Sequence, residues 1–280
     1  MCRRHWWAVP DLVTWMNRSR VQPADETPYG ALYGPAYHGE FVRRYDEVRP
    51  EPPGDLFDLL DSLSPTQPPA LIVDLGSGTG ISTVPWSTRA ERVVGIEVNP
   101  EMIRAARSAP RVEYRLGSAQ QTGLPDGCAD IVTCAQAFHW MPYEPTIAEV
   151  VRLLRPGGCF AAYDYDWPPL INQEVEKAFL DVIARAGVDP SRPEKATQAS
   201  RLGASGEFRY RREVSLHSRQ VLDARQLSLL PYTFGPIARR LEDGVSPQEL
   251  GLDQLQLALA RAAPNPRVLW WSYRLHIATK

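Results

Sequence analysis

The stretch Val73-Asp74-Leu75-Gly76-Ser77-Gly78-Thr79-Gly80 sets three glycines at alternate positions directly after an apolar run, and the next apolar run ends in Glu97. In an open α/β sheet, ligands bind beyond the carboxyl ends of the strands. Glycines there let a ligand approach the backbone, or supply backbone angles that a side chain forbids. A carboxylate ending the following strand is placed to accept both hydroxyls of a ribose. The two features together predict a nucleoside-bearing cofactor at an edge formed by Asp74, Gly76, Gly78, Gly80, Glu97 and Val98. The glycines read GxGxG, whereas a dinucleotide pyrophosphate seated on a helix N-terminus uses GxGxxG. A nicotinamide-dependent oxidoreductase stays open as an alternative, because it would also use a βαβ start and a ribose carboxylate. Further along, His139 follows a fourth apolar run at the same sheet edge and is the leading candidate for proton transfer. Asp164 and Asp166, after a fifth run, are second candidates. A structural wall formed by Phe138-His139-Trp140 and a solvated loop at the two aspartates are the competing readings.

These residues need a parallel sheet to hold them. Between Ala70 and Tyr163 apolar runs alternate with helical spacing, which predicts repeated βαβ units. The strands are Leu71–Leu75, Arg92–Glu97, Val112–Leu116, Ala129–Cys134 and Cys159–Tyr163. Asn99 caps a helix with Pro100 at its first position, running through Ala106. Ile147, Val150, Val151 and Leu154 recur at helical spacing, and Pro156-Gly157-Gly158 stops that helix. Helices are also expected over Tyr37–Val48, Asp55–Leu63, around Val175–Ala186 and within 221–262. Further strands are expected near 211–217 and 268–278. The resulting division is 1–69 for N-terminal helices and a lid, 70–163 for the cofactor-binding core, 164–210 for a helical cap, and 211–280 for the end of the fold.

The order Asp74-Leu75-Gly76-Ser77-Gly78-Thr79-Gly80, Glu97, Gly117-Ser118-Ala119-Gln120 and Leu154-Arg155-Pro156-Gly157-Gly158 resembles the class I S-adenosylmethionine-dependent methyltransferases over about residues 37 to 163. Gln136-Ala137-Phe138-His139-Trp140 and Tyr45-Asp46-Glu47-Val48-Arg49-Pro50 resemble its small-molecule branch, which includes trans-aconitate and natural-product tailoring methyltransferases. The resemblance implies a doubly wound Rossmann-like α/β fold whose seven-stranded, mostly parallel sheet has its last strand reversed. It implies S-adenosylmethionine as cofactor, with Gly76, Gly78 and Gly80 against the methionine part, Glu97 on the ribose, Ser118 and Ala119 beside adenine, and Gln136 at the methionine amine. Many relatives have Asp at the position of Ser118, so that contact passes to the Ala119 backbone or to Gln120.

Tyr29, Tyr33, Tyr37, Phe41 and Tyr45 are aromatic at every fourth position and share one face if helical, although Gly30, Gly34 and Pro35 interrupt them. They read either as core or as a lid whose ring faces receive an apolar substrate and favour a sulfonium or cationic intermediate. Tyr45 and Arg49 are the members expected at the cofactor, Arg49 against its carboxylate. With Trp140 and Trp167, Tyr29, Tyr33 and Tyr37 predict a pocket for a small aromatic or terpenoid metabolite of natural-product biosynthesis, methylated on O or C. C-methylation that starts a cyclisation, carboxylate methylation of the trans-aconitate type, and a cyclase that keeps its cofactor intact are the other possibilities.

Composition narrows the partners. With 280 residues, 31 Lys plus Arg against 33 Asp plus Glu and no basic block, a phosphate-tracking nucleic-acid surface is not expected. Hydrophobic content of 44% with 23% charged residues excludes a disordered chain. No run approaches the ~18 apolar residues that span a bilayer, and Pro10 and Asp11 interrupt the place of a signal-peptide core, so a cytoplasmic protein is expected. Cys2, Cys128, Cys134 and Cys159 contain no CxxC pair, and the five histidines are scattered, so no metal is expected. The Trp-rich leader over residues 1–20 must dock on something; exchange between subunits predicts a homo-oligomer.

Overall fold

A computed structural model describes residues 39–188, 202, 206–262 and 267–280. The leader, the expected subunit-exchanged helix, and Tyr29, Tyr33 and Tyr37 lie outside these residues.

The strands are β1 Ile72–Leu75, β2 Val93–Glu97, β3 Val112–Leu116, β4 Ala129–Ala135, β5 Leu154–Tyr165, β6 Tyr210–Leu222 and β7 Arg267–Thr279. They form one sheet in the order β3-β2-β1-β4-β5-β7-β6. The first five pair in parallel, and β7 lies antiparallel between β5 and β6. The central strands are nearly continuous apolar runs because both faces are covered. Ile72, Val93, Ile131, Cys159 and Ala161 face one core. Val73, Val94, Val132, Phe160 and Ala162 face the other.

The first core is closed by α2 (Gly54–Ser62), α5 (Gln173–Arg185), α6 (Ala224–Leu229), α7 (Gly235–Glu242) and α8 (Leu252–Ala262), through residues such as Leu56, Phe179, Leu227, Ile237 and Leu255. The second is closed mainly by α4 (Tyr143–Leu153), through Ile147, Val150 and Leu153. The remaining helices are α1 (Glu40–Val48) and α3 (Pro100–Arg104).

Local chemistry explains the boundaries. The Asn99 side chain accepts the Glu101 N–H at 2.8 Å with Pro100 at the first position, as expected, although α3 ends at Arg104 instead of Ala106. Asp223 and Gln226 close a reciprocal cap on α6. Pro156-Gly157-Gly158 does not separate helix from strand. The chain turns extended already at Leu154, and β5 runs through the prolyl-glycine segment with a register shift against Ala129 and Ile131 and Gly157 at φ 81°.

Candidate active site

The turn after β1 is built from below. Asp74, fully buried at the end of β1, accepts the Ser82 and Thr83 hydroxyls on one oxygen at 2.9 and 2.6 Å and the Thr133 hydroxyl on the other at 2.7 Å. Burial pushes its carboxyl up and the three hydroxyls pull it back, with burial the larger effect. Asp74 was expected at the ligand edge. Its oxygens are committed beneath the turn, so it acts on the site by holding β1, β4 and the glycine loop together.

The three glycines differ in their reasons. All have positive φ. A Cβ at Gly76 would meet Ala137 Cβ at 2.6 Å, and one at Gly80 would meet the Tyr114 hydroxyl at 2.1 Å, whereas one at Gly78 would meet nothing within 4 Å. Only Gly78 is bare toward open space. Gly80, expected against the ligand, faces Tyr114 because that ring from β3 packs under the turn.

Glu97 closes the loop from the side. Its two oxygens accept the N–H groups of Gly78 and Asn99, each at 2.9 Å. Burial raises its carboxyl above the ordinary range, against the pull of the Asn99, Gly78 and Val98 amides. An ionised carboxylate has about four acceptor sites, so two adjacent oxygens keep capacity for a vicinal diol. Val98 follows half-buried. Ser118 and Ala119 follow β3 at the same sheet edge, Ser118 half-buried and Ala119 in the second core.

Above the loop lies a solvent-open cavity. One side is Gly76, Ser77, Gly78, Thr79, Ile81 and Ser82, with Ala135 at the end of β4 and Gln136 just past it. The other is Tyr45, Arg49, Pro50, Pro52, Tyr163, Tyr165 and Tyr273. The buried Ser77 and Thr79 hydroxyls have no hydrogen-bond partner among the described residues. Gln136 holds a positive φ of 53° that turns the chain out of β4. The period of two along β5 puts Tyr163 and Tyr165 on one face, and Tyr273 of β7 stands opposite Tyr165. Reading that alternation to the end of β5 reveals the two tyrosines; Tyr273 needs the antiparallel register.

Arg49, only 9% exposed, is the cation of this wall. It donates to the Thr233 hydroxyl at 3.2 Å, to the Thr233 carbonyl and to the Tyr165 hydroxyl. Its guanidinium also lies over Tyr45 at 4.6 Å and Trp167 at 4.7 Å. The expected aromatic face exists at Tyr45, with Phe41 one turn earlier at 5.9 Å between ring centroids. The chain's own cation occupies it, however, which differs from a cage open to a ligand cation. Trp167 belongs to the same aromatic cluster, 5.4 Å from Trp271.

His139 and Asp164 converge. His139 lies just past β4 and Asp164 near the end of the adjacent β5, with His139 Nδ1 3.4 Å from Asp164 Oδ1 and both side chains largely buried. Trp140 packs against His139 at 5.0 Å. Asp166 is taken instead by Arg274 at 2.7 Å. Among the described residues no cluster of His, Cys, Asp and Glu could hold a metal ion, and no helix is long and apolar enough to cross a membrane.

The methyltransferase-domain family matches residues 73–162, the stretch from the glycine loop to β5. This stretch is similar to known methyltransferase domains. Among curated proteins, one named as a methyltransferase in Dictyostelium discoideum is 32% identical over 134 residues, 48% of this chain and 51% of that one. An uncharacterized methyltransferase of Mycobacterium tuberculosis is 37% identical over 121 residues, 43% and 48% of the two chains. The chain thus spans about half the length of these curated relatives. A solved structure described as a type II methyltransferase from Anaeromyxobacter dehalogenans superposes with a TM-score of 0.64 at 25% identity, covering 82% of this chain and 97% of that one. S-adenosylmethionine is the methyl donor of this domain class. The domain here fits it: Gly78 is open, Glu97 has spare acceptor capacity, and two orphaned hydroxyls line a cavity beside both.

Proposed function

We propose that the chain transfers a methyl group from S-adenosylmethionine to an oxygen of a small metabolite with an apolar, aromatic or terpenoid body, in natural-product biosynthesis. The observation that carries this reading is the cavity in which the glycine loop faces Tyr45, Tyr165 and Tyr273. When bound, the sulfonium supplies an electrophilic methyl that is transferred by in-line displacement, so holding two reactants in contact provides much of the acceleration.

The chain's part is positional and protonic. Glu97 holds the ribose hydroxyls; Gln136 and the loop backbone meet the amino-acid end, and Arg49 offers charge to its carboxylate. Ser118, Ala119 and Val98 flank the base. Asp164 Oδ1 stands 3.4 Å from Nδ1 of His139, and Nε2 of that ring is the atom proposed to take the proton of the acceptor hydroxyl. This pairing favours O-methylation over a carbocation route, since the rings suited to a cation already stack on Arg49. A carboxylate acceptor of the trans-aconitate type would compete for the same arginine. A cytoplasmic enzyme that exchanges its leader between subunits is part of the proposal; removing residues 1–20 and measuring solution mass tests the exchange.

The test is calorimetric titration of S-adenosylhomocysteine into wild type and Glu97→Ala, followed by mass analysis of a hydroxylated acceptor panel. Binding that weakens in the variant, with a gain of one methyl on a hydroxyl, supports the reading. Binding of NAD in place of the homocysteine nucleoside overturns it.

A further inference from the structure

We propose that Arg107 is a positioning residue that couples the glycine loop to the strap Tyr45–Glu51, so that nucleoside binding and the aromatic acceptor wall are set together. The inference rests on the methyltransferase reading of the cavity. Arg107 lies in the loop between α3 and β3 and is not itself a cavity-lining residue. Its guanidinium forks around the strap: Nε donates to Asp46 Oδ1 at 2.9 Å, Nη1 to Glu51 Oε1 at 2.6 Å, and Nη2 to the Asp46 carbonyl at 3.2 Å. Those contacts bracket Arg49 on both sides in sequence.

The backbone of the same residue holds the other partner. Its N–H donates to the Thr79 carbonyl at 2.9 Å, and its carbonyl accepts the Tyr114 hydroxyl at 3.0 Å, the ring that packs under Gly80. One residue therefore touches the glycine loop with its main chain and the strap with its side chain. The strap's remaining bonds run the other way. The Val48 carbonyl accepts from Gln220 at 3.0 Å, the Glu51 carbonyl accepts from the Tyr273 hydroxyl at 3.2 Å, and Arg49 is held by Thr233. Without Arg107 the strap stays tied to the β6–β7 side and loses its side-chain tie to the loop. Individually, ion pairs this exposed are weak; a planar fork gripping two acids and a carbonyl at once fixes geometry that one ammonium cannot.

The experiment is a thermodynamic cycle on the full chain with S-adenosylhomocysteine as probe, using wild type, Arg107→Gln, Arg49→Met, the double variant, Arg107→Lys and Glu97→Ala, each with a melting curve. Arg107→Gln should weaken binding by roughly ten-fold while melting within a few degrees of wild type. Arg107→Lys should recover only part of the affinity. In the Arg107→Gln background Arg49→Met should have little further effect on nucleoside binding, because the strap that carries Arg49 is no longer registered to the glycine loop. Full additivity of the two substitutions, or unchanged affinity in Arg107→Gln, overturns the coupling. If wild type does not bind the nucleoside, or Glu97→Ala binds as well as wild type, it is the underlying function that fails.

Discussion

Gly80→Ala tests whether the third glycine serves the fold or the ligand. The substitution places a Cβ at φ +86°, 2.1 Å from the Tyr114 hydroxyl and 3.0 Å from its Cζ. A side chain in the left-handed region costs about 1–2 kcal/mol. The hydroxyl must also move by more than an ångström to reach ordinary contact, which breaks its bond to the Arg107 carbonyl, worth about 0.5–1.5 kcal/mol. Overpacking of the ring adds about 1–3 kcal/mol. A loss of at least about 2.5 kcal/mol follows, or roughly 5–10 °C in melting temperature at 2–4 °C per kcal/mol.

Tyr114→Phe should relieve part of this, because the clash with the oxygen vanishes while the backbone strain remains. The double variant should therefore be more stable than the sum of the single ones by at least about 1 kcal/mol. Differential scanning calorimetry of the four proteins measures this directly. If Gly80→Ala melts like wild type but no longer binds S-adenosylhomocysteine, the glycine is there for ligand approach and the packing argument is wrong.

Glu97 carries a pH prediction. Its carboxyl sits above 4.5 in the folded protein and must ionise to accept two ribose hydroxyls, so affinity should fall as pH drops through that raised value, and Glu97→Gln should lose the dependence. The ligand-free protein should move oppositely, losing stability as pH rises from about 4.5 through the raised value, since the folded state holds that proton more tightly; denaturant titrations at several pH values check this. Arg49→Met should destabilise the fold by about 2–4 kcal/mol through lost ring stacking and hydrogen bonds, with Arg49→Lys intermediate, measured by urea unfolding. Once an acceptor is known, His139→Gln should lower kcat by about 100-fold with the affinity for S-adenosylhomocysteine unchanged, and Asp164→Asn should lower it less; an unchanged kcat in both would remove the base from the mechanism.

The cofactor half was legible from sequence because its determinants are local. Strand, glycine turn and Glu97 fall within one βαβ unit, and the Asn99-Pro100 cap identifies the next helix from four residues. The surroundings of Asp74 and Gly80, in contrast, depend on what lies across from each residue. Gly80 looks like Gly78 until Tyr114 is seen beneath it, and Asp74 looks like a ligand until three hydroxyls from separate segments converge on it. The wall facing the glycine loop was largely hidden. Arg49 meets Thr233 and Tyr165 only after the chain has returned twice, and Tyr273 joins the wall by antiparallel register. His139 and Asp164 were each visible as candidates, while their pairing needed β4 and β5 to be neighbours.

The place of β7 in the sheet has a consequence for how the protein reaches its native state. β5 and β6 are never neighbours; the strand that separates them follows both in the chain, and its pairing with β5 joins residues more than a hundred positions apart. Contacts of such separation slow folding, because chain entropy is lost before they form. Until β7 inserts, β5 and β6 each present an open edge, the kind of surface on which partly folded chains pair with one another. The Tyr165–Tyr273 wall and its grip on Glu51 therefore close late. Refolding should pass through a species that has assembled the glycine loop yet still lacks the facing tyrosine wall of its cavity.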